Sequence, residues 1–227
     1  SKEYAQKRWN SVDSLLASKS SVLSHGEVPA IYKESEETTH YSVVDKWGNA
    51  VSVTTTINGW FGNGIVVDGA GFLLNNEMDD FSSKPGVPNA YGLIGNEANS
   101  IEPGKRMLSS MSPSIVENSD GNLFLVVGSP GGSTIITTTA QIIMNVIDFG
   151  MNLEDAVENP RFHHQWLPDV IQMEGNRFSI ELINALKSRG HSIKYRNSIG
   201  EANCIMVKEG LIYGASDSRR NSSAVGY

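Results

Sequence analysis

The character of the chain changes at Thr38, and that boundary constrains its fold more than any other feature of the sequence. Residues 18–37 are rich in Ser and Glu, hold Gly26 and Pro29, and end in Lys33-Glu34-Ser35-Glu36-Glu37 with no hydrophobic period, the pattern of an exposed linker. Thr39 to Val44 and Ala50 to Thr56 are then two β-rich runs around Asp45-Lys46-Trp47-Gly48-Asn49, a hairpin signature. A threonine therefore opens a strand directly after a polar linker.

On either side of this boundary the chain mixes helical and extended patterns. Tyr4, Ala5, Trp9, Val12, Leu15 and Leu16 recur at helical spacing and predict a terminal helix over 2–18 that packs on something. Short strands are expected within 64–74, followed by a long irregular region over 75–113 with Pro85, Pro88 and Pro103, the kind of loop that serves binding. Leu123 to Val127 reads as a buried strand, then comes Gly128-Ser129-Pro130-Gly131-Gly132, then a helix from Thr134 to Phe149 closed by Gly150. Helices are expected from Leu153 to Glu158 and, capped by Ser179, from Ile180 to Arg189; strands are expected near 191–196, 203–207 and 211–213. The class is α+β.

The totals narrow the function. The net charge of -7 comes from scattered acidic residues with no basic run, which argues against nucleic acid as a partner. Cys204 is the single cysteine, so an intrachain disulfide framework and a Cys-based zinc site are excluded. No run approaches the roughly 18 apolar residues of a membrane span. Ser1 to Lys7 lack the apolar core of a signal peptide, which leaves an upstream one open.

A threonine hydroxyl is a poor nucleophile without an adjacent base. A free α-amino group, with a pKa of about 7.7 to 8.0, supplies that base at neutral pH. Cleavage before Thr38 would put nucleophile and base on one residue, although Thr38 and Thr39 also suit an ordinary strand start. The glycines at 128–132 precede a helix, where unpaired N–H groups favour a developing negative charge; the same glycines also suit a turn or close packing. Ser109-Ser110-Met111-Ser112-Pro113 offers hydroxyls for a carboxylate, or an ordinary Ser-rich turn. Asn75-Asn76-Glu77-Met78-Asp79-Asp80-Phe81 could hold an ammonium group, and its spacing does not match an EF-hand. His163 and His164 are adjacent and do not share a face, so they read as structural.

Taken in order, these stretches resemble the gamma-glutamyltranspeptidases. The resemblance rests on Thr38 to Asp45, Gly48 to Thr54, Leu73 to Phe81, Leu108 to Pro113, Gly128 to Ser133 and Pro160 to Pro168. It implies an N-terminal nucleophile hydrolase fold, a four-layer αββα sandwich of two mainly antiparallel sheets, completed by a large subunit. Residues 1–37 would be the tail of that subunit, and 38–227 the catalytic small subunit released by autoproteolysis between Glu37 and Thr38. By the same analogy Thr38 is the nucleophile supported by Thr56, and the amides of Gly131 and Gly132 face the oxyanion. Asn58, Glu77 and Asp80 hold the donor's α-amino group, Ser109 and Ser110 its α-carboxylate, and Tyr91 belongs to a lid over 79–95. The donor would be glutathione or a related amide, the acceptor water, an amino acid or a dipeptide, with no metal or organic cofactor. The compartment implied is periplasmic or extracellular. Thr55, Gly59-Trp60-Phe61 and Met107 depart from the usual wording and bear on the acceptor side. A glutaryl or cephalosporin acylase, a capsule-modifying relative, and an inactive precursor fragment with an assembly role remain as alternatives.

Overall fold

Asp45 makes the hairpin turn. Its carboxylate accepts the amides of Trp47 and Asn49 and the Asn49 side-chain amide at 2.7–2.9 Å. The flanking runs thereby return on one another as β1 (Glu37–Val44) and β2 (Ala50–Asn58), paired antiparallel. The computed structural model describes residues 2–23, 37–82, 84 and 95–227; most of the expected linker, most of the expected lid and Tyr91 lie outside them.

The terminal helix is shorter than its pattern predicts. α1 (Lys2–Trp9) stops at Trp9 and buries nothing. Beyond it the Asp13 carboxylate takes the amides of Leu15 and Leu16 at 2.7 and 3.0 Å, and a local side-chain acceptor of this kind competes with helix continuation. Trp9, Leu15 and Leu16 are exposed. The strands expected over 64–74 reduce to one bridge between Val66 and Leu73.

The main core lies between a four-stranded sheet and two helices. β3 (Ser114–Glu117), β4 (Leu123–Val127), β8 (Asn203–Lys208) and β9 (Leu211–Ser216) form that sheet in the order β3-β4-β8-β9. α2 (Thr134–Ile147) and α3 (Leu153–Glu158) cover one face. Leu125, Val127, Cys204 and Met206 meet Ile142, Val146, Leu153 and Val157 in one buried cluster. Val126 is also fully buried but stands outside that cluster, as strand alternation requires.

The other face of the sheet carries the hairpin, giving helix, sheet, sheet in three successive layers. That second interface is polar. Ser42 Oγ donates to the Asn203 carbonyl at 2.8 Å, Ser52 Oγ to the Val127 carbonyl at 3.2 Å, and Asn203 Nδ2 to the His40 carbonyl at 3.1 Å. Outward, Tyr41, Val43 and Val51 are 48%, 47% and 48% exposed.

A third sheet consists of β5 (Phe162–His163), β6 (Ile171–Glu174) and β7 (Ile193–Arg196). β6 pairs antiparallel with β5 and parallel with β7. The parallel pair needs a crossover, and α4 (Ile180–Ser188) supplies it. The strands β3, β5 and β6 were not expected from the sequence. All three are four residues or fewer, too short to display a period.

Candidate active site

The hairpin register shifts where the sequence changes character. Glu37 pairs with Asn58 and Thr39 with Thr55, so two residues of β2, Thr56 and Ile57, stand opposite Thr38. Such a bulge breaks the ladder and re-aims the side chains around it. Thr38 is half-buried there and lines a cavity of about 260 Å³ together with Thr39, His40, Thr55, Thr56, Ile57, Gly59, Trp60, Pro130, Glu201, Asn203 and Arg220. The chain is continuous through Glu37 and Thr38 within β1, so the Thr38 nitrogen is an amide and gains basicity only when that bond is broken.

Pro130 brings the glycine turn onto the cavity wall. Gly131 has φ 130° and Gly132 φ 58°, conformations that suit glycine. A Cβ on Gly131 would stand 2.5 Å from Thr134 Oγ1. The carbonyls of Gly131 and Gly132 accept the amides of Thr134 and Ile135, the entry to α2. Among the described residues, the N–H groups of Gly131 and Gly132 donate to no acceptor, leaving two donors at a helix N-terminus.

The turn is clamped to its surroundings at two points. Glu201 N–H donates to Ser129 Oγ at 2.9 Å. Gly200, with φ 68°, packs so closely that a Cβ there would stand 2.7 Å from both Ser129 Oγ and Thr138 Oγ1. On the hairpin side, Gly128 lies against the His40 ring, where a Cβ would come within 2.2 Å of Cε1. His40 Nδ1 is 2.8 Å from Thr54 Oγ1 and Nε2 is 3.2 Å from Ser42 Oγ. Ser42 commits its one proton to the Asn203 carbonyl, so Nε2 carries the hydrogen and Nδ1 accepts from Thr54. Burial pushes the imidazole down to about 4, which keeps it neutral.

The other expected residues form a connected train leading away from Thr38. The Thr56 hydroxyl accepts the Asn58 amide at 2.9 Å. Asn58 is buried at φ 71°, and its Nδ2 donates to the Asn76 carbonyl at 3.1 Å. Asn76 in turn holds the Gly59 amide through Oδ1 at 2.8 Å and donates to Asp79 at 3.1 Å. Glu77 and Asp80 open and close the one-turn 3-10 helix Glu77–Asp80, both half-buried.

Asn99 then bridges to the serines. Its Nδ2 donates to the Asp80 carbonyl at 2.7 Å, and its Oδ1 accepts the Leu108 amide at 3.2 Å. Ser109 is exposed and Ser110 buried, with Ser110 Oγ unpartnered among the described residues. Asn58, Glu77, Asp80, Ser109, Ser110, Gly131 and Gly132 are not on the cavity wall itself. His40, Asn99, Ser129, Gly200, Glu201 and Arg220 are the residues that sequence reasoning did not single out. Each works through a contact distant in sequence, and of the six only His40 and Ser129 lay inside motifs already noted.

Behind the glycine turn, a buried ion cluster fixes the segment 199–202. Arg161 Nη1 meets Asp217 Oδ2 at 2.7 Å, and Arg219 reaches both Asp217 and Glu174. Glu174 also accepts the amides of Arg161 and Ile199 at 3.0 Å, while Asp217 accepts that of Ala202 at 2.9 Å. Burial alone would raise both carboxyls, but for Glu174 the Arg219 guanidinium and two amides outweigh it and hold the group below the usual range. For Asp217, Arg161, the Ala202 amide and Arg219 do the same. His163 and His164 turn to different partners, Thr137 and Gln165 for one and Asp169 for the other. No group of three His, Cys, Asp or Glu side chains placed to hold a metal occurs among the described residues.

A family model described as Gamma-glutamyltranspeptidase matches residues 1–227. The glutathione hydrolase proenzyme of Escherichia coli (strain K12) is 52% identical over 219 residues, covering 96% of this chain and 37% of that protein. The chain therefore spans little more than a third of that relative's length. A mutant of Helicobacter pylori gamma-glutamyltranspeptidase superposes with a TM-score of 0.76 at 54% identity, over 80% of this chain and 100% of the other. A cephalosporin acylase from Bacillus halodurans gives a TM-score of 0.77 at 26% identity, over 100% of this chain and 39% of the other.

Proposed function

The chain belongs to the gamma-glutamyltranspeptidase family and shares the N-terminal nucleophile hydrolase fold, and from that premise we propose that it is the self-cleaving catalytic portion of a gamma-glutamyl transferase and hydrolase. One observation carries the reading: Thr38 faces Thr56 across a strand bulge, in a cavity whose wall includes Pro130, the residue that leads into the Gly131-Gly132 pair.

Maturation would begin when Thr38 Oγ attacks the Glu37 carbonyl carbon. The C–N bond breaks, an ester forms, and water hydrolyses it to a Glu37 carboxylate and a free Thr38 amine. In turnover that amine takes the hydroxyl proton while Oγ attacks the γ-carbonyl of glutathione or a related amide. The amides of Gly131 and Gly132 receive the oxyanion, and the departing amine takes up the proton. Loss of one such donor costs about two to three decades in rate. Water then yields glutamate, or an amine acceptor yields a new gamma-glutamyl amide.

Asn58, Glu77 and Asp80 form the ammonium side of the donor site and Ser109 and Ser110 the carboxylate side, joined through Asn76 and Asn99. Residues 1–37 are the tail of a large subunit, and 38–227 the small subunit; the part of this chain matched by the whole Helicobacter pylori chain is of the size of 38–227. The outward apolar face of the hairpin is where the large subunit supplies the outer layer. The protein works in the periplasm or outside the cell, as the family resemblance implies. No described helix is long and apolar enough to cross a membrane. Glu77 and Asp80, on the one-turn helix that follows Asn76, favour an ammonium-bearing donor over the plain glutaryl group of an acylase, as does 54% identity against 26%.

The test uses the full-length protein. Intact mass is expected to show a new chain starting at Thr38, and a gamma-glutamyl anilide to be cleaved in preference to a glutaryl anilide. Thr38→Ala is expected to abolish both cleavage events; a variant that still cuts itself and still releases product defeats the assignment.

A further inference from the structure

The proposed donor groups leave one side of the cavity unassigned. Trp60, Glu201, Asn203 and Arg220 share its walls with Thr38, whereas the groups assigned to the donor's ammonium and carboxylate lie off them. Among the described residues Arg220 is the one Lys or Arg on those walls, and its side chain is 53% exposed. Its Nε stands 3.5 Å from Glu201 Oε2, and among the described residues neither Nη has a hydrogen-bond partner.

Glu201 is itself fixed. Its amide is bound to Ser129 on the glycine turn, and its Oε1 accepts the Ser222 hydroxyl. The carboxylate engages the guanidinium at Nε and leaves the Nη pair for another group. A planar guanidinium pairs best with a carboxylate, through two parallel hydrogen bonds. Trp60, 72% exposed, offers a flat apolar surface on the same cavity.

Resting on the function proposed above, we propose that Arg220, oriented by Glu201, binds the free carboxylate of the molecule on the acceptor side. In the first half-reaction this is the terminal carboxylate of the departing amino acid or dipeptide. In the second it is that of the incoming one. The acceptor nitrogen then attacks the gamma-glutamyl ester carbon, the new C–N bond forms, the C–O bond to Thr38 breaks, and the amine proton passes to the Thr38 oxygen.

The experiment measures transfer from a gamma-glutamyl anilide to glycylglycine and to glycylglycinamide, which lacks the carboxylate, with the self-cleaved full-length protein. The parent is expected to show a KM for glycylglycine about tenfold below that for the amide, the worth of a charged hydrogen bond on a half-exposed cation. Arg220→Ala is expected to bring the two KM values together by raising that for glycylglycine, and Arg220→Lys to keep part of the preference. A parent without the preference, or an Arg220→Ala enzyme that keeps it, overturns the inference while anilide hydrolysis leaves the wider reading standing. A parent that neither hydrolyses nor transfers overturns both.

Discussion

His40 stands two residues beyond Thr38 and touches both the hairpin interior and the glycine turn, so its charge state matters to more than its own strand. Burial pushes it down to about 4, against roughly 6.5 in an unfolded chain. Between those values the unfolded chain binds a proton that the folded one refuses. The contribution of this residue to stability is thus whole above about pH 6.5 and is lost as pH falls toward 4. Melting temperatures taken from pH 7 to pH 4.5 should decline in the parent and decline less in His40→Gln; parallel curves would refute the account. His163, also pushed down by burial, leaves a residual slope in the variant. None of this was legible in the sequence. Thr38 was, because a break in local pattern marks it; His40, Asn99 and Arg220 were not, because their partners lie at Gly128, Asp80 and Glu201, on other segments of the chain.

Among the elements, those with a full period of their own were legible. α2, α4, β4, β8 and the hairpin all follow from apolar spacing and turn residues, while α1 ends early where the Asp13 carboxylate takes the amides of Leu15 and Leu16. The segment 199–202, which shapes the back of the glycine turn, has no such pattern. It is held by Arg161, Glu174, Asp217 and Arg219, which come from just before β5, the end of β6 and the residues after β9. Removing one charge from a buried set leaves its partners unpaired in a medium that solvates them poorly. Asp217→Asn is therefore expected to lower stability by about 3 kcal/mol, read as the shift in a urea midpoint at unchanged slope. A midpoint within error of the parent would mean that the cluster is not what holds this segment.

At the scale of the whole molecule, the hairpin is packed the reverse way round from the strands of a free-standing domain. Hydroxyls, an imidazole and an amide fill the layer against the main sheet, and Tyr41, Val43 and Val51 face outward. An apolar face of this kind associates unless it is covered. Residues 38–227 produced alone should sediment as oligomers at micromolar concentration, and as one species when co-produced with the upstream polypeptide of a full-length protein; a dispersed monomer of the isolated piece would count against a covering partner. The polar layer has a mechanical consequence as well. Oily surfaces slide, because contact between them has no preferred angle, whereas hydrogen bonds are directional. A strand pinned by Ser42, Ser52 and Asn203 is indexed to its neighbour like a key in a keyway, so the register of the hairpin that carries Thr38 against the main sheet is machined into the fold before any ligand arrives.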